Sequence, residues 1–507
     1  MYWCIFAPHL ISAMKLSFFL RLISTIAAIS LFVALFSCKK QDALSTDTSL
    51  KLSFSADSVI FDTVFTTVGS ITKQLMIYNK SDNKLNICNI SLSGGAASAF
   101  RINLDGEAGD SFSEIEINGN DSLYVFVRVT INPQDQNSPY IVEDELFFYT
   151  NGNEQTVKLV AWGQDAHYII ADTYIDGFPK FKVVADSLET VTWTNDKPYV
   201  VYGYAVINSY GTLILEEGVR VHFHDGGGLW AYADSQLQVM GSQENPVTFQ
   251  GDRLEQNYAE LPGQWDRIWL MESRQGTDHI INNAIIKNGF IGLQTESFLR
   301  FATNKVKLKN VVISNMNGYG LFSRVYNTEA DNLVVTNCGG YCMAILGGGN
   351  HSFVQSTVAN YWPYSARNNP SILINNYLLD SLDNPVSFPI NFNLANSIVY
   401  GSNKDEFLTD MDGGADSLYY LSYSLLKSTL KMDNPDFYTS ILRNEDPLFF
   451  NISDNDYRLD TLSPAIDIGD PAIALQSPTD ILGTSRLNHP DAGAYQFVPG
   501  QVKQVDN

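Results

Sequence analysis

A chain of 507 residues with 45% hydrophobic and only 17% charged side chains can bury large cores, which excludes a disordered polymer. Its 55 acidic against 32 basic residues give a formal charge of −23, so its surface repels polyanions at long range and no nucleic-acid partner is expected. The 35 glycines and 18 prolines, with 12% aromatics, suit many short strands and turns.

The first 37 residues read as a leader. "MKLSFFLRLISTIAAISLFVALFSC" carries Lys15 and Arg21, then an apolar run, then Cys38. Met14 is the expected start, because "MYWCIFAPHLISA" adds no basic residue to it. The uncharged run from Leu22 to Ser37 is shorter than the roughly 20 residues that span a bilayer. The segment resembles a bacterial lipoprotein signal with "LFSC" as lipobox. That resemblance implies cleavage before Cys38, lipidation of Cys38, and anchoring to the outer membrane of a Gram-negative bacterium. Losing Lys15 and Arg21 with the leader takes the charge from −23 to −25. The remaining Cys88, Cys338 and Cys342 are too few for a disulfide-held scaffold; "CGGYC" suits a pair of packed thiols better than a local bridge.

Residues 38–51 form a polar tether, and 52–164 alternate in strand-length runs: "QLMIYNKS", "KLNICNISLSG", "AFRINL", "SLYVFVRVTINP", "ELFFYTN" and "VKLVAWG". Six or seven such strands in about 110 residues predict a β-sandwich. The segments "YNKSDNKLNICNI", "IEINGNDSLYVFVRVTINP" and "ELFFYTNGNEQTVKLVAWG" resemble the immunoglobulin-like domain named after the cilia protein hydin, which implies a spacing or binding role without catalysis.

Residues 165–204 read as a linker and cap, and from 205 to 497 the chain repeats itself. "GTLILEEGVRVHF" aligns with "SQLQVMGSQENPVTF", matching Leu213 and Leu215 with Leu237 and Val239, and Val221 and Phe223 with Val247 and Phe249. A third strand follows each copy, "LWA" and then "IWL". Three short strands per turn at a period of 20–30 residues predict a parallel β-helix, in which neighbouring turns bury one another's inward side chains. Later turns place Asn288, Asn315, Asn337 and Asn360 at a bend, where stacked amides satisfy open backbone groups. The region resembles the right-handed parallel β-helix superfamily that includes pectate lyases. Its end, with "SPAIDIG" and "DAGAYQF", resembles the element called choice-of-anchor domain Q, and 498–507 are a tail. The expected fold class is all-β: an immunoglobulin-like sandwich followed by a right-handed parallel β-helix.

Two stretches invite a functional reading. In "RVHFHDGGGLW", Val219, Val221 and Phe223 share the inward face, which leaves His222 and His224 outside and Asp225 at the bend. These three are the only metal candidates. No metal is expected, since the repeat puts Thr248 and Gln250, which are weak ligands, beside the histidines. In the next strand Trp230 and Tyr232 point outward, and Trp269 follows one turn later; stacked exposed aromatics suit the apolar faces of sugar rings. Packing under a neighbouring segment is the competing expectation for them.

The superfamily implies either a polysaccharide lyase, with a basic residue and Ca²⁺, or a glycoside hydrolase with clustered carboxylates. No dense aspartate cluster stands out. Asp252, Arg253, Asp266 and Arg267 read as surface ion pairs, and Lys287, Arg300, Arg324 and Arg367 are basic without regular spacing. The expectation is therefore a lipid-anchored surface module that binds polysaccharide or cell-surface glycan, with catalytic residues unassigned. No cofactor is expected, Ca²⁺ being implied only for a lyase. A β-helix lyase or hydrolase is the alternative.

Overall fold

The structure, a computed structural model, describes residues 44–297 and 302–500. The leader and Cys38 lie outside the described residues. The described residues form two compact units: one takes residues 44–61, Gly69–Thr130 and Val142–Ala161, the other Asp62–Val68, Ile131–Ile141 and the described residues from Trp162 onward.

The first unit is built on two five-stranded sheets. In one, Lys73–Asn79 runs antiparallel to Asp121–Val129, which pairs in turn with Phe100–Leu104. In the other, Leu85–Leu92 lies between Tyr140–Thr150 and Ser111–Ile117, again antiparallel. Alternation explains the packing. Val125, Val127 and Val129 are fully buried, while Tyr124 and Phe126, which alternate with them, face solvent. Phe61 meets Phe100, and Phe54 meets Phe148, across the gap between the sheets.

The second unit is a parallel β-helix with three walls. Wall A is a nine-stranded parallel sheet in strict chain order, from Phe181–Ala185 through Tyr204–Ile207, Gly228–Ala231, Arg267–Met271 and Ile291–Glu296 to Phe407–Asp410. Walls B and C are the two halves of a 16-stranded sheet that folds along its length. Wall B contains Thr212–Leu215 and Gln236–Met240, and wall C contains Arg220–Phe223 and Val247–Gly251. Later strands cross from B to C without a break, so His279–Lys287 pairs with Gln236–Met240 through its first half and with Val247–Gly251 through its second.

The fold line is an asparagine ladder. Asn283, Asn310 and Asn332 sit where the strands bend, each with positive φ (48°, 54° and 52°), which asparagine tolerates better than most residues. Asn310 donates to Asn283 at 2.9 Å and Asn332 to Asn310 at 2.9 Å, so each amide supports the next. The ladder expected at the following corner also forms in part. Asn315 donates to Asn288 at 2.8 Å, while Asn337 turns to Asn455, and Asn360 brackets the backbone of Cys338.

The interior is one continuous apolar column, with Leu213, Leu215, Val221, Phe223, Leu237, Val239, Val247 and Phe249 all fully buried. The expected register holds on wall B, where Leu213 faces Leu237 and Leu215 faces Val239. On wall C it is corrected by two residues: Val221 pairs with Phe249 and Phe223 with Gly251. A two-residue shift keeps every side chain on its own face, so hydrophobic pattern cannot detect it. Trp265, fully buried, stacks on Phe223 with centroids 4.7 Å apart and lies against Gly289, while Gln264 fills the space beside Gly251.

Candidate functional site

The two tryptophans stand as a column on the outer face of wall A. Register places Val206, Trp230, Trp269 and Gln294 on successive turns. Trp230 and Trp269 stack at 4.6 Å and 7°, and Phe178, from the segment before the first wall A strand, stacks on Trp230 at 5.8 Å and 16°. The broad faces of these rings therefore lie against one another along the solenoid axis. Trp230 is only 5% exposed, and neither indole Nε1–H has an acceptor among the described residues. Tyr232 meets Trp230 edge-on at 76° and stays 40% exposed.

Beside this column lies an apolar cleft of about 420 Å³, lined by Ile175, Phe178, Phe181, Val183, Val206, Asn208, Trp230 and Tyr232. Among the described residues, none of those that line it is charged. Beyond Trp269 the same wall becomes polar: Arg267 holds Asp266 and Gln294, Gln294 donates to Glu296 at 3.1 Å, and Arg324 pairs with the buried Glu296 at 3.0 Å.

The three metal candidates are not brought together. His222 faces outward but is buried, with the Phe65 ring of the same unit 5.0 Å away and Nδ1 3.0 Å from the Gly251 carbonyl. Burial pushes its pKa down to about 4. His224 pairs instead with Asp252 at 2.7 Å, and Asp225 is exposed at the corner. Among the described residues no three His, Cys, Asp or Glu side chains converge.

The basic residues are mostly committed elsewhere. Lys287 pairs with Glu260 at 3.2 Å, and Arg367 is buried against Glu406 at 2.6 Å; Arg300 lies outside the described residues. Arg253 pairs with Glu255 and not with Asp252. Cys338 and Cys342 are both buried and unbridged, and burial pushes the Cys342 thiol up.

Wall B carries the feature that sequence reasoning missed. On its outer face a groove runs through two cavities of about 520 and 410 Å³, which share Glu329 and Ser352 as lining residues. Register sets Lys307 beside Glu329, then Ser352, then Asn393, and sets Lys309 beside Asp331. Lys305 pairs with Glu329, and Lys307 with Asp278 at 2.9 Å. Desolvation raises the Asp331 carboxyl, with Ser477 and Lys309 partly opposing it. The signal was "KVKLK" one turn before "TEAD", alternating charges on adjacent strands, but two carboxylates two residues apart do not look like a cluster in a linear sequence.

No protein-family description matches the chain, and no curated protein does. Among solved structures, an α-1,3-glucanase catalytic unit of family GH87 from Streptomyces thermodiastaticus is similar over 73% of this chain and 88% of that one, at 8% identity and a TM-score of 0.20. A family 123 glycoside hydrolase from Clostridium perfringens matches over 24% of this chain and 30% of its own length, at 8% identity and TM-score 0.17. A PapD-like domain of human CEP192 matches over 25% of this chain and 91% of that domain, at 14% identity and TM-score 0.16. None of these scores reaches 0.5, and the β-helix stands on the register of its own strands.

Proposed function

We propose that this chain is an exported, lipid-anchored β-helix protein that binds neutral carbohydrate in the wall A cleft. The observation that carries the reading is the aromatic lining: Phe178 and Tyr232, both exposed, border a cavity that contains no charge. A sugar ring's apolar face suits such a surface, whereas a uronate would lose its hydration there without an ion partner. Trp230 and Trp269 act as the rigid base of the cleft, because their faces are already stacked, and Tyr232 and Phe178 make the contact. Asn208, whose amide donates to Asp186 at 2.8 Å and accepts from the Ser209 N–H at 2.9 Å, is the polar side chain at the edge of the cleft besides the Tyr232 hydroxyl.

In this reading Cys38 carries the lipid, the polar tether and the two-sheet unit, immunoglobulin-like in pattern, space the solenoid from the membrane, and the "DAGAYQF" end closes the far turns. A glycan array probed with the mature chain and with Tyr232→Ala tests the cleft. Binding to neutral glycans that falls in the variant supports the reading, and an array without neutral binders refutes it. Lipid labelling of wild type against Cys38→Ala tests the anchor.

A further inference from the structure

We propose that the first sheet of the two-sheet unit lays its outer face on the phospholipid bilayer that holds the anchor. Tyr124 and Phe126 sit among the headgroups, and Arg101 and Arg128 meet lipid phosphates. This placement rests on the reading of Cys38 as the lipidated residue and deepens it, because the unit becomes a second membrane contact beside the lipid.

The anchor has a short reach. Residues 44–52 do not hang free but are bonded along the unit. Leu44 bridges Lys84 in parallel, and the Ser45 N–H donates to the Lys84 carbonyl at 2.9 Å. Asn151 donates to the Asp47 carbonyl at 2.9 Å, and Asn153 to the Thr48 carbonyl at 2.8 Å. The Leu52 backbone exchanges two bonds with the Gln155 amide, at 3.0 and 2.9 Å. Cys38 and Leu44 are six peptide steps apart, a span of at most about 22 Å when fully extended. A lipid on Cys38 therefore holds the Lys84 end of the unit close to the headgroups. The strand Lys73–Asn79 ends at the turn leading to Lys84, so its outward Tyr78 lies at that end.

The face that starts at Tyr78 is apolar and aromatic. Leu75, Ile77, Ile102, Val125 and Val127 point into the core, so the residues alternating with them point out. Met76 is paired with Tyr124, and Phe126 lies between Gln74 and Asn103. Tyr124 and Phe126 are 47% and 38% exposed, with ring planes within 12° of each other. Grouped exposed rings on one face mark an interaction surface, and such rings suit the boundary between lipid and water.

Charge selects the partner. Arg101 and Arg128 are exposed and directly opposite each other, where like charges repel. The Arg101 guanidinium rests on the carbonyls of Ala96, Ser98 and Phe100, and neither arginine has an acidic partner among the described residues. A phosphate between them would offset that repulsion. The other outward positions on these three strands are uncharged; Asp105 and Glu107 stand at the rim, on the edge hairpin. By the same alternation the second sheet turns Glu116, Glu143 and Glu145 outward. In a chain of formal charge −23, an anionic leaflet thus attracts the first face and repels the second.

The test places the full lipidated chain in vesicles of phosphatidylethanolamine and phosphatidylglycerol that contain a nitroxide-headgroup lipid. A fluorophore is attached to the first face through Gln74→Cys in a Cys88→Ser background. In the parent chain the exposed Cys88 carries it on the second sheet, while Cys338 and Cys342 are buried. Mass and vesicle flotation are read first: a chain without lipid refutes the anchor reading, and this placement falls with it. For the lipidated chain, quenching several-fold stronger at position 74 than at position 88 is expected. Tyr124→Ser with Phe126→Ser, and separately Arg101→Gln with Arg128→Gln, should shrink that difference while the melting temperature stays near wild type. Equal quenching at the two positions, stronger quenching at position 88, or a difference unchanged by the aromatic pair of substitutions overturns the placement and leaves the lipid anchor standing.

Discussion

Walls A and B are stacked from the same turns, yet their outer faces have opposite chemistry. Wall A presents Val206, Trp230 and Trp269 in register and borders an uncharged cleft; wall B presents Lys307, Glu329, Ser352 and Asn393 and forms a charge-balanced groove. Inside, the two walls are indistinguishable, both supplying fully buried aliphatic residues to one core. The inward positions are constrained by the turns above and below, whereas each outward column answers only to solvent or ligand. Function in this fold is therefore written on the outside, column by column, and the interior says little about it.

The first way to break the comparison is to make the inside behave like the outside. Val221→Asp and Phe249→Asp each put an unpaired charge into the stacked core, and should unfold the solenoid or cost more than about 4 kcal/mol. Thermal denaturation checks it; near-native melting in either variant would show that these positions are not core. Next comes Arg367→Ala, which leaves Glu406 buried without its ion partner and should cost about 3–5 kcal/mol. Arg367→Ala with wild-type urea stability would contradict that burial.

A subtler probe is acid. His222, His279 and His351 are all buried, each with its pKa pushed down from 6.5 to about 4 by desolvation. His279 shows the structural reason: Nδ1 accepts from the Leu237 N–H at 3.0 Å while Nε2 donates to the Met271 carbonyl at 2.9 Å, so the ring is held neutral. The unfolded chain takes up protons near pH 6.5 and the folded one only near 4. Stability is thus present above about pH 6.5 and lost as pH falls toward 4, by up to about 3 kcal/mol per histidine. Replacing His222 with Gln should flatten this limb by one proton's worth; an unchanged slope of stability against pH would refute the assignment.

The three-wall architecture was legible from "GTLILEEGVRVHF" and its repeat, because alternation fixes which face is buried. The pairing of Val221 with Phe249 was not, since a two-residue slip leaves that alternation intact. Asn288 and Asn315 were legible because each follows an apolar triplet. Asn283, Asn310 and Asn332 hid inside strands that continue past the bend. His222 was assigned to the outer face, where it lies, but its cover by Phe65, far away in sequence, could not be read. For the tryptophans, spacing told which turn each ring occupies but not that Phe178 would stack on Trp230. Glu329 and Asp331 escaped notice because their partners come from the preceding turn.

The smallest expected effect is also the one that separates packing from binding on wall A. Trp230 is sandwiched between Phe178 and Trp269, so Trp230→Ala removes a buried ring and should lower stability by about 3 kcal/mol. Tyr232 touches Trp230 only edge-on and keeps much of its surface in solvent. Tyr232→Ala should therefore leave the melting temperature nearly unchanged while weakening neutral-glycan binding by about 1–3 kcal/mol, as loss of a contact aromatic does. Calorimetric titration and melting curves on the two variants give a crossed pattern, stability lost in one and affinity lost in the other. If Tyr232→Ala bound glycan as tightly as wild type, the cleft would be packing alone.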